Sequence, residues 1–146
     1  MLIRKIAPAD KDRVLALASA FYSGDAVDHT ISDGTIKRSI DYALKNTPNF
    51  TGYVFCENDK IYGFSFITRY FETEVGGICT GILDIYIKEE MRGKGWGKQF
   101  FKFVFDTYRD SRRFRLEAKE SNKSAIGLYK KMGVRELDYK QFTAEF

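Results

Sequence analysis

Residues 85–104 read IYIKEEMRGKGWGKQFFKFV, the most informative stretch of the chain for its architecture. Its first residues are apolar as in a β-strand, and its last residues are apolar at helical spacing. Between them, glycines at every second position alternate with basic or aromatic residues: Arg92, Gly93, Lys94, Gly95, Trp96, Gly97 and Lys98. Glycine is unfavourable inside regular elements, so we expect a tight turn that opens a helix. Backbone amides at a helix start attract anions, and the stretch therefore predicts an anion-binding turn.

Two other phosphate-binding motifs fit this turn less well. A P-loop needs a glycine where Arg92 stands and a hydroxyl where Gln99 stands, so the sequence excludes it. A dinucleotide-binding fingerprint accepts Gly93 and Gly95 but needs a third glycine where Lys98 stands, which makes that interpretation weak. A flexible turn with solvated lysines is the remaining alternative for the glycines taken by themselves.

Composition indicates one domain over residues 1–146 with a formal net charge of +4. The basic residues are spread along the chain instead of forming a block, which disfavours nucleic acid as a partner. Cys56 and Cys79 lie in apolar segments without a nearby histidine cluster, so we predict reduced core cysteines and no metal site. No apolar run is long enough to cross a membrane, and we expect a cytoplasmic protein that does not bind membranes.

The remaining pattern alternates strands with helices. Strands are predicted over 2–7, 51–57, 61–72, 77–90 and 113–120, with one or two closing strands in 134–146. Helices are predicted over 9–22, over 35–46 with Ser32 or Asp33 as the cap, after the glycine turn, and over 121–133 with Ser121 or Asn122 as the cap. This order favours a mixed sheet flanked by helices.

Two segments of the chain resemble signatures of the GNAT superfamily of N-acetyltransferases. The first signature is a strand, then Arg/Gln-x-x-Gly-x-Gly/Ala, then a helix, and Arg92, Gly95 and Gly97 occupy its defining positions. The second is Asn-x-x-Ala-x-x-Leu/Phe-Tyr-x-x-x-Gly-Phe, in which Val134 replaces the final Phe. Its matching residues are Asn122, Ala125, Leu128, Tyr129 and Gly133.

The resemblance implies an α/β (α+β) fold made of one GNAT-type domain. Its central sheet would be mixed and mostly antiparallel, with six to seven strands, about four flanking helices and a V-shaped splay at the CoA site. The implied enzyme moves an acetyl group from acetyl-CoA, as co-substrate, to a primary amine of a small molecule or peptide. A catalytically silent acyl-CoA sensor and a nucleic-acid-binding module remain as alternatives, and a homodimer is left open.

The resemblance also implies which residues hold CoA. The turn from Arg92 to Lys98 would bind its pyrophosphate, chiefly through backbone amides. The main chain of Ile85, Tyr86 and Ile87 would pair with the pantetheine arm. Asn122 would contact the same arm, although a helix cap also explains this residue.

Two residues are candidates for proton transfer. By the resemblance Tyr129 is the general acid that protonates the departing thiolate, while its place on an apolar helix stripe also fits a packing role. Asp84 interrupts the apolar strand GILDIYI and is a candidate base that acts through water. A structural hydrogen bond explains Asp84 equally well, and Glu117 is a weaker candidate.

The segment after the first helix is expected to meet the acceptor. It combines acidic and aromatic residues, which suit a cationic amine through ion pairs and cation–π contacts. The candidate substrate-binding residues are Tyr22, Asp25, Asp28 and His29. Solvated loop side chains remain the alternative for the acids and for the histidine.

Overall fold

The computed structural model describes residues 1–24 and 30–146. In these residues one five-stranded sheet contains β1 (Leu2–Lys5), β2 (Phe50–Glu57), β3 (Lys60–Glu72), β4 (Gly77–Ile87) and β5 (Arg113–Leu116). The α-helices of the same part of the chain are α1 (Lys11–Tyr22), α2 (Asp33–Ala43), α3 (Trp96–Thr107) and α4 (Lys123–Lys131).

The strands lie in the sheet in the same order as in the sequence. β1 to β4 are antiparallel neighbours, whereas β4 and β5 are parallel and α3 lies in the connection between them. Apolar residues of α1 and α2 pack with Val54, Phe64 and Phe66 on one side, the α1–α2 face. Residues of α3 and α4 pack with Phe55 and Ile82 on the other side, the α3–α4 face.

Local signals in the sequence set several element ends. The Ser32 hydroxyl accepts a hydrogen bond from the Thr35 amide and caps α2. Asn58 and Asp59 both have positive φ, of 48° and 61°, as a two-residue hairpin turn requires. At the end of α4, Gly133 has a φ of 81°, which allows the following amide to bond back to the last helical turn.

The predicted strand count is wrong for the described residues, where the sheet has five strands and not six or seven. The predicted closing strands in 134–146 are absent, and that segment has no regular structure. Tyr139 and Phe142 in it are 61% and 92% exposed. Its charged residues leave few apolar side chains to bury, so its weak alternation does not hold a strand against the sheet.

Cys56 and Cys79 are both buried and both free, as expected of core cysteines. They lie on β2 and β4. No helix in the described ranges is both long enough and apolar enough to cross a membrane.

Candidate functional site

The glycine turn between β4 and α3 has a backbone that only glycine adopts without strain. Gly93 has a φ of 72° and Gly95, at the cap of α3, has a φ of 79°. No atom lies within 4 Å of the position that a Cβ would take at either residue. The two glycines therefore serve backbone conformation and leave open space beside the turn.

The backbone amides of this turn after Arg92 have no acceptor in the described part of the chain. The Arg92 amide bonds to the Glu89 carbonyl at 3.0 Å, and the Gln99 amide bonds to the Gly95 carbonyl at 3.0 Å. The amides from Gly93 to Lys98 donate to no atom of the described residues. They lie at the positive end of the α3 dipole beside the exposed Lys94 and Lys98. This arrangement suits a pyrophosphate.

Gly97 and Trp96 have structural side-chain environments. A Cβ on Gly97 would lie 2.6 Å from Leu128 Cδ2, so the missing side chain lets α4 pack closely on α3. Trp96 is 4% exposed and belongs to the core cluster on the α3–α4 face. These two predicted turn residues therefore offer an anion only their amides.

Arg92 connects the turn to β4. Its Nε donates to the Ile87 carbonyl at 2.9 Å, and its guanidinium carbon lies 5.9 Å from the centre of the Tyr86 ring. This bond fixes the start of the turn relative to the strand that precedes it.

β4 extends beyond the end of its pairing with β5. The last pair between them joins Ile82 to Leu116, while β4 stays paired with β3 as far as Ile87. The end of this pairing is the point at which the predicted splay would begin. Ile85 and Ile87 direct their side chains into the α3–α4 face, so only their main chain is available along the unpaired side of β4.

A β-bulge at Leu83 changes which face each residue of β4 occupies. Phe66 on β3 pairs with Asp84 and Ile67 pairs with Ile82, so Leu83 is the extra residue. The insertion reverses the alternation of side chains. Asp84 therefore lies on the α1–α2 face, where a regular strand would place it beside Ile82 in the apolar cluster of the opposite face.

Asp84 is held by two hydrogen bonds. The Tyr22 hydroxyl donates to its carboxylate Oδ2 at 2.6 Å, and the Ser65 hydroxyl donates to its carbonyl oxygen at 2.6 Å. Burial raises the pKa of the Asp84 carboxyl, and the bond from Tyr22 partly offsets this effect. Burial and the nearby carboxylate raise the pKa of the Tyr22 hydroxyl, which keeps it a donor.

Tyr129 is half-buried on α4. Its ring packs against Phe101 with 5.4 Å between the ring centres, and burial raises the pKa of its hydroxyl. Among the described residues, the Tyr129 hydroxyl has no hydrogen-bond partner. At the start of α4, the Asn122 side-chain oxygen accepts from the Ala125 amide at 3.2 Å, so this residue is a helix cap.

The structure brings together only part of the predicted acceptor site. Tyr22 and Asp84 are in contact, whereas Asp25, Asp28 and His29 lie outside the described residues. Glu117 is exposed after the end of β5. In 1–24 and 30–146, no group of His, Cys, Asp and Glu side chains could hold a metal ion.

Sequence analysis did not identify Ser65. Its side chain is fully buried in the hairpin strand β3, and it bonds to a main-chain oxygen. The only signal in the sequence was a lone hydroxyl within the apolar run GFSFI, in the strand that precedes the one with Asp84. That signal does not reveal which carbonyl the hydroxyl binds.

Comparisons with known proteins agree with this geometry. Residues 12–134 match the model of the acetyltransferase (GNAT) family. A thialysine N-epsilon-acetyltransferase of Sus scrofa is 43% identical over 56 residues. That match covers 37% of this chain and 33% of the length of the Sus scrofa enzyme.

Solved structures share the fold at low identity. A possible acetyltransferase from Clostridium difficile 630 superimposes with a TM-score of 0.83 at 18% identity, over 99% of this chain and 97% of the other. AAC(6')-Iy in complex with the bisubstrate analog CoA-S-monomethyl-acetylneamine superimposes with a TM-score of 0.80 at 14% identity, over 99% of this chain and 97% of the other. A ribosomal-protein-alanine N-acetyltransferase from Brucella melitensis biovar Abortus 2308 superimposes with a TM-score of 0.76 at 16% identity, and the match covers both chains fully.

Proposed function

The chain belongs to the acetyltransferase (GNAT) family, and we propose that it transfers an acetyl group from acetyl-CoA directly to a primary amine of a small molecule or peptide. The observation that carries the proposal is the position of Asp84. This carboxylate lies on β4 just after the last residue that pairs with β5. The turn of unpaired amides follows the end of the same strand. A base and an anion site thus share one strand.

The turn would bind the pyrophosphate of CoA. Its unpaired amides from Gly93 to Lys98 supply donors, and the open space beside Gly93 and Gly95 lets phosphate oxygens approach the backbone. The unpaired side of Ile85, Tyr86 and Ile87 would accept the pantetheine arm through main-chain hydrogen bonds, as an added strand does.

The chemistry needs a base on the amine side. A primary amine with a pKa of about 10 is protonated at neutral pH and must lose a proton before it can attack. When bound, acetyl-CoA supplies an acetyl thioester, whose transfer forms a C–N bond and breaks the C–S bond. Asp84 would take the amine proton, directly or through water, and its raised pKa makes it a stronger base than an exposed aspartate.

Tyr129 would supply a proton to the departing sulfur. Its raised pKa keeps the hydroxyl protonated at neutral pH, as an acid requires. The hydroxyl has no partner in the described residues, so it is available to a ligand. Packing on Phe101 fixes the ring.

An amine panel with acetyl-CoA tests the proposal. Release of free CoA is followed with a thiol reagent, and the product is checked by mass spectrometry for one added acetyl group. Asp84→Asn should release CoA at least about a hundredfold more slowly than the unaltered protein. Asp12→Asn, at an exposed aspartate on α1, is the control and should keep full activity.

Two outcomes would contradict the proposal. Tight acetyl-CoA binding without turnover on any amine would indicate a silent acyl-CoA sensor. Binding of nucleic acid that weakens steeply with salt, without acetyl-CoA binding, would indicate the nucleic-acid module.

A further inference from the structure

The β5 edge of the sheet is poorly covered. In the described part of the chain β5 pairs only with β4, and no backbone hydrogen bond joins it to the segment 134–146. Its outer edge therefore carries free backbone donors and acceptors. Within the described ranges, no residue of β5 or of α4 is fully buried, whereas α3 buries four residues. The apolar side chains of this region are thus open to a further covering layer.

An apolar groove lies in this region between α3, α4 and β5. Two cavities of about 360 Å³ each meet at Phe105 and Met132, and about 150 Å³ is already enough to hold a benzene ring. The rings of Phe105 and Phe114 pack together here with 4.7 Å between their centres. The apolar residues of this groove, called the β5 groove below, are Phe105, Phe114, Met132, Val134 and Leu137.

The residues that follow the groove carry aromatic side chains that are not buried. In the tail, defined as residues 138–146, Tyr139 is 61% exposed and Phe142 is 92% exposed. The Tyr139 hydroxyl donates to the Glu74 carboxylate at 2.7 Å, and its ring centre lies 5.9 Å from the Arg115 guanidinium carbon. Phe142 therefore offers a whole aromatic ring to another surface.

The attachment at Tyr139 holds the tail away from the groove of the same chain. Phe114 packs into the α3–α4 face, so alternation along β5 places Arg115 on the α1–α2 face. Tyr139 lies against Arg115, so the tail has crossed to the α1–α2 face at that residue. Phe142 follows three residues later, within about 10 Å of extended chain. The groove is on the opposite face, where the tail of a second copy meets no such restraint.

Charge favours contact between the groove and the tail. More basic than acidic side chains line the groove: Lys98, Lys102, Arg113, Arg135 and Asp106. In the tail, Asp138 and Glu145 outnumber Lys140. The two surfaces thus have opposite net charges, which favours the pairing of one copy with another.

We propose that the protein forms a homodimer in which the tail of each copy docks in the β5 groove of the other, with Phe142 as the central anchor. The two contacts are equivalent, as a two-fold dimer requires. An aromatic side chain that fills an apolar pocket is the usual anchor of an interface. The free edge of β5 lies beside the groove and is available to the main chain of the same tail. This inference does not depend on the acetyltransferase proposal.

Analytical ultracentrifugation tests the oligomeric state. The unaltered protein should sediment with twice the mass of one chain. Phe142→Asp places a carboxylate in an apolar groove, and the dissociation constant of the dimer should rise by roughly thirtyfold or more, the scale of an interface hot spot. Far-UV circular dichroism of this variant should match that of the unaltered protein, because the altered side chain is exposed within one chain.

Leu2→Asp is the matched control. It makes the same kind of change at a side chain that is 59% exposed on β1, at the opposite edge of the sheet. The dissociation constant of its dimer should stay within about twofold of that of the unaltered protein, as is usual for a surface substitution.

A disulfide cross-link distinguishes a second copy from the tail of the same chain. Met132→Cys and Phe142→Cys are combined in one chain and oxidised, and the native Cys56 and Cys79 are buried and should not react. We expect covalent dimers on a non-reducing gel, whereas Met132→Cys alone should run as a single chain after the same treatment.

Four outcomes would overturn the proposal. The first is a single-chain mass for the unaltered protein at every concentration, and the second is a dimer that Phe142→Asp leaves intact. The third is an equal weakening of the dimer by Leu2→Asp. The fourth is a cross-link that forms only within one chain, which would place the tail in its own groove.

Discussion

The Tyr22 hydroxyl donates a hydrogen bond of 2.6 Å to the Asp84 carboxylate, and this bond joins the last residue of α1 to the bulge of β4. It connects elements that are 62 residues apart in the sequence. The contact therefore places Tyr22, which alone among the four candidate substrate-binding residues lies in the described part of the chain, beside the proposed base. It also tunes that base, because the bond opposes the rise that burial causes in the pKa of Asp84.

Removing this bond should move the pH profile. In Tyr22→Phe the pKa of Asp84 loses its lowering influence and rises further. A base acts when deprotonated, so the rising limb of kcat/KM against pH should shift to higher pH. Tyr42→Phe is the control, since Tyr42 is a 40% exposed tyrosine on α2. If kcat/KM of Tyr22→Phe shows the same pH dependence as the unaltered protein, Tyr22 does not influence the pKa of the base.

Asp84→Asn should trade activity for stability. Burial raises the folded-state pKa of Asp84 above its unfolded value of about 3.9. Ionising this group therefore costs stability as pH rises through the folded pKa, whereas below the unfolded pKa there is no such cost. Asparagine avoids the cost and still accepts the bond from Tyr22. The midpoint of thermal unfolding should rise relative to the unaltered protein, more at pH 8 than at pH 4, while turnover falls. A lower midpoint at pH 8 would contradict the assigned burial cost.

Tyr129→Phe separates the proposed acid from packing. The phenylalanine ring keeps the contact with Phe101, so unfolding free energy should change by only about 1 kcal/mol. Turnover should fall by roughly a hundredfold or more, with little change in acetyl-CoA binding. Single-turnover kinetics across a pH range and calorimetric binding check the two parts. Full activity at every pH would reduce Tyr129 to a packing residue.

Gly95→Val tests the anion turn. A branched side chain at a φ of 79° is strained and would occupy the space beside the free amides. Affinity for acetyl-CoA should collapse in a folded but weakened protein. Gly76→Val is matched in backbone strain, with a φ of 57° and no atom within 4 Å of its Cβ position, and it lies before β4, away from the turn. It should lose stability and keep affinity, so equal affinity losses would assign the effect to strain.

Ligand-induced stabilisation gives a further check. Acetyl-CoA at a hundred times its dissociation constant should stabilise the fold by about 2.7 kcal/mol. ATP and NAD share the adenosine diphosphate part of acetyl-CoA but lack its pantetheine arm, and they should stabilise the fold less at the same concentration. A larger thermal shift with ATP than with acetyl-CoA would count against the proposed pantetheine contacts along Ile85, Tyr86 and Ile87.

Features that depend on neighbouring residues could be predicted from the amino-acid sequence. The alternation of β2 and β3, the cap at Ser32, the turn at Asn58 and Asp59, and the glycines before α3 all follow from local conformational preferences. The family signatures around Gly95 and Tyr129 could also be identified from the sequence, because each is a short run of nearby positions.

Which side chains come into contact could be seen only in the folded chain. A single extra residue at Leu83 turns Asp84 toward α1, and no local pattern in GILDIYI marks that insertion. Likewise, Gly97 looked like part of the anion turn, whereas the packing of Leu128 explains its missing side chain. The alternation predicted in 134–146 formed no strand, because a strand also needs an apolar face to bury against its sheet. Strand register and side-chain packing depend on partners that are distant in the sequence. The free energy that favours one arrangement is the sum of many such contacts, so a local pattern of residues does not predict it.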